Sequence, residues 1–423
     1  MRTRKAKMTW MLVLMMSLAL APVFAEASEF PDFGGRTVTL TTWSSRPQRY
    51  LDESAPGRLE EAEKLFNAKI EIVVFPKNEL AGTNMNRLLG GESGLDIWNM
   101  EHDQFWPLVT QGALLDVSGI LPADYYDNLH PVHQRMANAW KFLGRSYYVG
   151  SAPAAYSAIF LLTYNKDMVE AEGIDDPYEL WLEGKWNWDT FEELMQAVTR
   201  DTDGDGEIDQ RGFTHRVHYQ NWIPTNGART VKEIDGKMTF ALHHEAAIYG
   251  INKVHQWRTE GLMADEVPED KALFHPLQGW NIEYRALDWD GHRYGIVPYP
   301  QGPHADPNEY ITPFWAHLGY ALPANSEKPR ELVQLLDFLY PASEFEDHLD
   351  AMIRGMVLDR DSYDAALWMY ENAEVEVNFW KQIIGSDEYD LVAVEATEEG
   401  GAASKMAAVA PATQALLDDM FQQ

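Results

Sequence analysis

Apolar positions in the first part of the chain switch between two periods. Thr37-Val-Thr-Leu-Thr-Thr-Trp43 is a β-branched run that predicts a strand, Leu59, Ala62, Leu65 and Phe66 recur at helical spacing, and Ile70 to Phe75 is again strand-like. Leu95 to Trp98 repeats the strand pattern. Such alternation predicts an α/β protein with a mostly parallel sheet, and sheets of that kind bind ligands beyond the carboxyl ends of their strands. The first candidates are therefore Trp43, Ser44, Ser45 and Arg46 after one strand, and Met100, Glu101 and His102 after another. Further along the pattern turns helical. Leu332, Leu335, Leu336 and Leu339 make one stripe after Ser326, and Pro341 ends it.

The N-terminus has a different character. Arg2, Arg4, Lys5 and Lys7 precede an apolar run from Met8 to Ala21, and Val23-Phe24-Ala25 supplies small residues for cleavage. This pattern predicts a signal peptide over residues 1–25, because the run is shorter than the roughly 20 residues a spanning helix needs. Cleavage after Ala25 leaves 30 basic against 66 acidic residues, a formal balance of −36. Nucleic acid and anionic lipid are bound through basic patches, so this charge argues against both as partners. Cysteine is absent, which excludes disulfides, thiolate metal sites, Cys nucleophiles and a lipid-anchored N-terminal Cys.

The 398 residues after Ala25 exceed what one core usually supports, yet no Pro/Ser/Gly-rich spacer or repeat divides them. Two interleaved lobes are the expectation. The order Tyr147-Tyr148-Val149-Gly150, Leu161-Leu-Thr-Tyr-Asn-Lys166, Trp188-Asp-Thr-Phe-Glu-Glu-Leu194, Asp203-Gly-Asp-Gly206 and Gly212-Phe213 resembles the family 1 extracellular solute-binding proteins of ABC importers. The resemblance implies a two-lobe periplasmic-binding-protein fold whose lobes are joined by a hinge. Lobe one would hold 35–150 plus 313–354, and lobe two 151–310 plus 355–423. It also implies a free, monomeric periplasmic protein, since many relatives are tethered through the Cys this chain lacks. Its partners would be a sugar, most readily an oligosaccharide, and the subunits of an ABC permease.

Aromatic residues in polar surroundings fit that ligand class. A ring covers the flat C–H face of a sugar, while hydroxyls take paired hydrogen bonds from acids, amides, Arg and His. Trp43-Ser44-Ser45-Arg46, Glu101-His102-Asp103, Asn221-Trp222, Gly279-Trp280-Asn281 and Phe314-Trp315-Ala316-His317 each join a ring to polar neighbours. Tyr156 and Ser157 lie in the loop after the first crossing, where members of the resembled family touch ligand. The candidate set is Trp43, Ser44, Arg46, Glu101, His102, Tyr156, Ser157, Trp222, Trp280, Asn281, Trp315 and His317. Trp98, Trp186, Trp188, Trp368 and Trp380 read as packing residues, with Asp189 as a helix N-cap and Glu192 three residues later.

Asp201-Thr-Asp-Gly-Asp-Gly-Glu-Ile-Asp209 is the sharpest local motif. Acids at loop positions one, three, five and nine, with glycine at six, match the oxygen shell of calcium, so Asp201, Asp203, Asp205, Glu207 and Asp209 are candidate ligands for a structural ion. Position twelve, where a bidentate Glu would close the shell, is Gly212. The pairs His130/His133 and His215/His218 and the run His243-His244-Glu245 lack zinc spacing and read as solvent-facing, and no catalytic cofactor is expected. The alternative from another class is a secreted glycoside hydrolase, which needs only two suitably spaced carboxylates among many. No nucleophile or phosphate-binding motif supports it.

Overall fold

Strand β1 (Thr37–Thr42) is buried from Val38 onward on both faces, which places it inside a sheet. Helices α1 (Arg46–Glu53) and α2 (Arg58–Leu65) lead to β2 (Lys69–Val74), and α3 (Lys77–Leu89) leads to β3 (Ile97–Met100), so β1 pairs in parallel with both later strands. Helices α4 (His102–Thr110) and α5 (Pro131–Ala139) and the hairpin of β4 (Lys141–Phe142) with β5 (Arg145–Ser146) complete the first lobe's opening segment. The computed structural model describes residues 30–91, 95–214, 219–265, 267–279, 288–289, 291–314, 318–372, 374–377 and 388–422.

After Gly150 the chain enters a second sheet. Strand β6 (Phe160–Asn165) is buried at all positions, and α6 (Lys166–Glu172), α7 (Pro177–Leu182) and α8 (Trp188–Val198) follow it. Then come β7 (Arg211–Thr214), α9 (Tyr219–Trp222), the hairpin of β8 (Val231–Ile234) with β9 (Lys237–Phe240), α10 (Glu245–Thr259) and β10 (Met263–Ala264). Strands β11 (Ala272–Gln278), β12 (Asp288–Trp289) and β13 (His292–Val297) finish a sheet ordered β10-β7-β11-β6-β13-β12. The expected parallel character holds in the first sheet and fails in the second, where β6 is antiparallel to both neighbours. Parallel pairing follows from helical crossovers between strands, and β6 instead enters straight from the chain crossing.

The chain returns through β14 (Ile311–Phe314) to β15 (Gly319–Ala321), which lies antiparallel against β3 and closes the first sheet as β15-β3-β1-β2. Helix α11 (Pro329–Leu339) then buries Leu332, Leu335, Leu336 and Leu339 against that sheet, in one core with Val38, Leu40 and Ile97. Helix α12 (Phe345–Met356) carries the chain back, and α13 (Arg360–Asn372) packs on β13, where the Ser362 hydroxyl accepts from the Ile296 N–H at 3.1 Å. Strand β16 (Glu374–Val377) pairs with β14, and α14 (Glu388–Glu399) and α15 (Ala402–Met420) pack on α10 through Ala393, Ala396, Met406 and Leu417. This is a two-lobe α/β fold in which the chain crosses between the sheets more than once.

Several aromatic expectations meet their structural reason here. Trp98 is fully buried, and Trp186 and Trp188 enter the second core with their indole N–H groups donated to the carbonyls of Pro298 at 2.6 Å and Pro300 at 3.1 Å. The N-cap of α8 is a correction. Asn187, not Asp189, accepts the N–H groups of Asp189 and Thr190 at 2.9 and 3.2 Å, and Thr190 answers by accepting from the Asn187 N–H. The helix thus starts two residues earlier, with Trp188 in its first turn.

Gly150 sits at the crossing with φ +73°, and a Cβ there would lie 2.5 Å from Leu336 Cδ2. Both the left-handed backbone and the close approach require glycine. Gly150→Ala is expected to cost about 2 kcal/mol, from strain plus overpacking. A urea unfolding curve with an unshifted midpoint would contradict this account of the crossing.

Candidate functional site

At the carboxyl ends of β1 and β3 a polar network interrupts the apolar pattern. The Thr42 hydroxyl donates to Asn99 Oδ1 at 2.8 Å and accepts from the Ser44 N–H at 3.0 Å. Ser44 Oγ in turn accepts from the Arg46 N–H at 3.2 Å, so this hydroxyl serves the orphan donors that open α1. Asn99 Nδ2 donates to the Gly319 carbonyl at 3.1 Å and joins the network to β15. Arg46 and Asn99 line a narrow recess with Ala152, Pro153 and Tyr320, contributed by the two crossing segments. On its other side Arg46 bounds a cavity of about 210 Å³ with Arg49, Tyr50 and His348.

Trp43 and Glu101 form a second wall beside these strand ends. Lys77 Nζ lies 4.9 Å from the Trp43 ring centroid and is ion-paired with the buried Glu101 carboxylate. Glu101 also caps α4, its side chain accepting from the Gln104 N–H while its own N–H donates to Gln104 Oε1 at 3.0 Å. The Glu101 acid is thus engaged by the protein. The Trp43 indole N–H is buried with no hydrogen-bond partner among the described residues.

Of the sequence-based candidates, the structure gathers Trp43, Ser44, Arg46 and Glu101 at the strand ends of lobe one. Trp222 is a correction. It is wholly buried among Phe191, Phe213, Trp257 and Tyr299, with ring centroids 5.0 to 5.6 Å away, and presents no face to a cleft. Trp280, Asn281, Trp315 and His317 lie outside the described residues, as do the side chains of His102, Tyr156 and Ser157. Lys77, Asn99, Arg49 and His348 were not among the candidates. Asn99 was legible as the last polar position of a strand, whereas His348 reaches the site from a helix distant in sequence.

Two histidines depart from expectation. His133 is fully buried and His130 half-buried, whereas His243 is exposed as expected and His215 and His218 lie outside the described residues. His133 Nε2 lies 3.0 Å from the Ala152 carbonyl, so it carries the proton, and Nδ1 is buried with no partner among the described residues. A second N–H would have no acceptor, and burial lowers this imidazole to about 3 and His130 to about 4.

The acidic loop leaves α8 and is pinched shut where Arg200 and Gln210 exchange backbone hydrogen bonds at 3.0 and 3.1 Å. Asp201 accepts the N–H groups of Asp203, Gly204 and Gly206, which hold its carboxyl below the usual range. Carboxylate oxygens of Asp201, Asp203 and Asp209 lie within 4.8 Å of one another. Asp205 accepts from the Glu207 N–H at 2.8 Å, and neither it nor Glu207 joins that convergent trio. The donors are hard oxygens on a loop whose sixth residue, Gly206, has φ +95°, which fits calcium rather than a softer metal.

A cleft at strand ends, bounded by chain crossings between two lobes, is the architecture of a solute-binding protein. The chain matches the bacterial extracellular solute-binding protein family over residues 58–357 and belongs to it. Among solved structures it is similar to the cyclic alpha-maltosyl-1,6-maltose binding protein of Arthrobacter globiformis, at 14% identity over 91% of this chain and 99% of that one, with a TM-score of 0.67. The GacH receptor of Streptomyces glaucescens, solved with acarbose, aligns at 15% identity over 91% and 99%, TM-score 0.64. UgpB of Mycobacterium tuberculosis, solved with glycerophosphocholine, aligns at 16% over 90% and 98%, TM-score 0.62. At these identities the likeness is one of fold. No curated protein matches the chain. Family and structural neighbours are binding proteins and not enzymes, which removes the glycoside hydrolase alternative. The family is extracellular, and among the described residues no helix is long and apolar enough to cross a membrane.

The buried histidine yields an expected pH dependence. His133 is neutral when folded and would ionise near 6.5 once unfolded, so its contribution is whole above pH 6.5 and drains away as pH falls toward 3. Each pH unit in that window should cost up to about 1.4 kcal/mol. Urea midpoints at pH 7.5 and 5 should differ less in His133→Asn than in the parent. Equal differences would remove His133 from the acid response.

Proposed function

We propose that this protein captures an oligosaccharide between its lobes outside the cytoplasmic membrane and delivers it to an ABC permease. The observation that carries this reading is the strand-end wall: an indole whose buried N–H has no partner among the described residues, beside hydroxyl, amide and guanidinium groups at the chain crossings. Rings for sugar faces and paired donors for hydroxyls are what a glycan cleft needs. Neighbours solved with acarbose and named for a cyclic maltosyl-maltose support the class, while the glycerophosphocholine neighbour is the reason to test non-sugars too. Within lobes of 35–150 plus 313–354 and 151–310 plus 355–423, Trp280, Asn281, Trp315, His317, His102, Tyr156 and Ser157 would add contacts around the same ligand. Signal cleavage after Ala25 and a monomer in the periplasm complete the reading.

Binding would work by population shift: a ligand that touches both lobes stabilises the closed form, which the permease distinguishes from the open one. Arg46 and Arg49 favour a sugar with an acidic group as the second reading, since both line the 210 Å³ cavity beside His348. Thermal unfolding against neutral malto-oligosaccharides, oligouronates and glycerophosphocholine separates these cases. A true ligand at a hundred times its Kd adds about 2.7 kcal/mol of stability. Trp43→Ala should weaken the active ligand about tenfold or more with the fold intact. An unchanged titration would take Trp43 out of the site, and silence from every sugar would overturn the carbohydrate assignment.

The acidic loop is read as a structural calcium site that braces lobe two, held by Asp201, Asp203 and Asp209, with Asp205 and Glu207 contributing around them. Calcium is expected to raise the unfolding temperature relative to chelator, and Asp201→Asn should abolish that shift. Identical curves with calcium and chelator would dismiss the ion.

A further inference from the structure

On lobe one, away from the strand-end recess, a cavity of about 510 Å³ opens between the first described residues, the Ile120–Tyr125 turn and helix α11. Its size falls within the range of small-molecule sites. Phe30, Pro31, Ile120, Leu121, Pro122 and Val333 give it apolar walls. Arg330, Val333, Gln334 and Asp337 line it from one face of α11, at the i, i+3, i+4 and i+7 spacing opposite the leucine stripe.

Asp337 is the anomaly. It is partly buried, and a carboxylate drawn into such a wall is usually ion-paired, because burial without a counter-charge is costly. Here Oδ1 accepts one hydrogen bond, from the Tyr125 hydroxyl at 2.8 Å. No hydrogen bond or ion pair to Oδ2 occurs among the described residues. Burial pushes the carboxyl up to about 6, and the Tyr125 bond is the one contact that offsets it. The charged or titratable groups lining the cavity beside it are Tyr125 on the turn and Arg330 and Glu331 on α11, and none of the apolar residues facing it can compensate the charge. A cavity with an apolar wall and a carboxylate that no ion pair neutralises among the described residues, on a chain of strongly negative balance, is complementary to a small cation with a hydrophobic body.

We propose that this cavity is a second ligand site, which takes small organic ammonium compounds with an aryl or alkyl body, the ammonium paired with Asp337 and the body against Ile120, Leu121 and Val333. The cavity shares no lining residue with the strand-end recess. It also touches the hinge region, because the Tyr125 hydroxyl that donates to Asp337 accepts the Gly150 N–H at 2.8 Å. Occupancy at Asp337 therefore acts on the group that holds the first crossing.

Calorimetric titration of the exported protein at pH 7.5 with phenethylammonium, and with 2-phenylethanol as its neutral counterpart, tests the site. The ammonium should bind at least about tenfold tighter than the alcohol. Its affinity should fall as pH drops below about 6, where Asp337 takes up a proton. Asp337→Asn, whose amide oxygen can still accept from Tyr125, should erase the preference while leaving alcohol binding unchanged, and Val333→Trp should close the cavity to both. Equal affinities for the two compounds, or a preference that survives in Asp337→Asn, would overturn a carboxylate-centred site. Absence of heat from both compounds would overturn the cavity as a ligand site, and unaltered unfolding of the variants verifies that the fold is not the cause.

Discussion

Everything about the cleft depends on two crossing segments that lie side by side. Val149 donates its N–H to the Tyr320 carbonyl at 2.9 Å, and glycines flank this pair because nothing larger fits. A Cβ on Gly319 would lie 2.5 Å from Tyr148 and 3.1 Å from Trp140, as one on Gly150 would meet Leu336. Around them Trp140 sets its edge against Tyr148, and Tyr320 stacks on Tyr340 with centroids 5.5 Å apart. Rotation of one lobe about the other must be absorbed outside this pinned pair, since close-packed aromatic surroundings do not deform continuously.

A crossing strand has no long ladder, so its polar backbone must be satisfied in another way. Side chains of lobe one supply it. Tyr126 donates to the Tyr148 carbonyl at 2.8 Å, Tyr125 accepts from the Gly150 N–H, and His133 donates to the Ala152 carbonyl. Asn99 does the same for Gly319 on the returning segment. Tyr125, Tyr126, His133 and Asn99 are therefore the residues that hold the crossings, and the recess at the strand ends is shaped as a consequence. Burial of His133 follows from this duty: its ring must be neutral and singly protonated to donate to one carbonyl in a dry site.

Local pattern made much of this fold legible. The β1-to-β3 unit and the leucine stripe of α11 rest on short-range periodicity, and the packing role of Trp98, Trp186 and Trp188 on their place in a strand and at a helix start, local signals that survive folding. What failed depended on the partner across space. Trp222 stands beside polar Asn221 and looks like a platform, but four aromatic rings from other elements enclose it. The histidines carried no periodic signal to mark burial. The second sheet's direction was hidden because a strand's orientation is set by how the chain arrives, not by its own residues. The strand-end rule put Trp43, Ser44, Arg46 and Glu101 just beyond β1 and β3, where they stand, and it could not say that Glu101 would be spent on Lys77 and the cap of α4.

The acidic loop shows how packing can edit a motif. An EF-hand closes its shell with a bidentate Glu at position twelve, and here that position is Gly212, already inside β7. A Cβ on Gly212 would lie 2.3 Å from Met195 Cβ and 2.7 Å from its Cα, and the Gly212 N–H is donated to the Thr199 hydroxyl at 3.0 Å. Helix α8 and strand β7 approach so closely that no side chain is admitted where the closing acid would stand. The converging oxygens instead come from positions one, three and nine, within the loop itself. The Arg200–Gln210 pair ties off the loop just before β7, and β7 then packs against α8 at glycine distance.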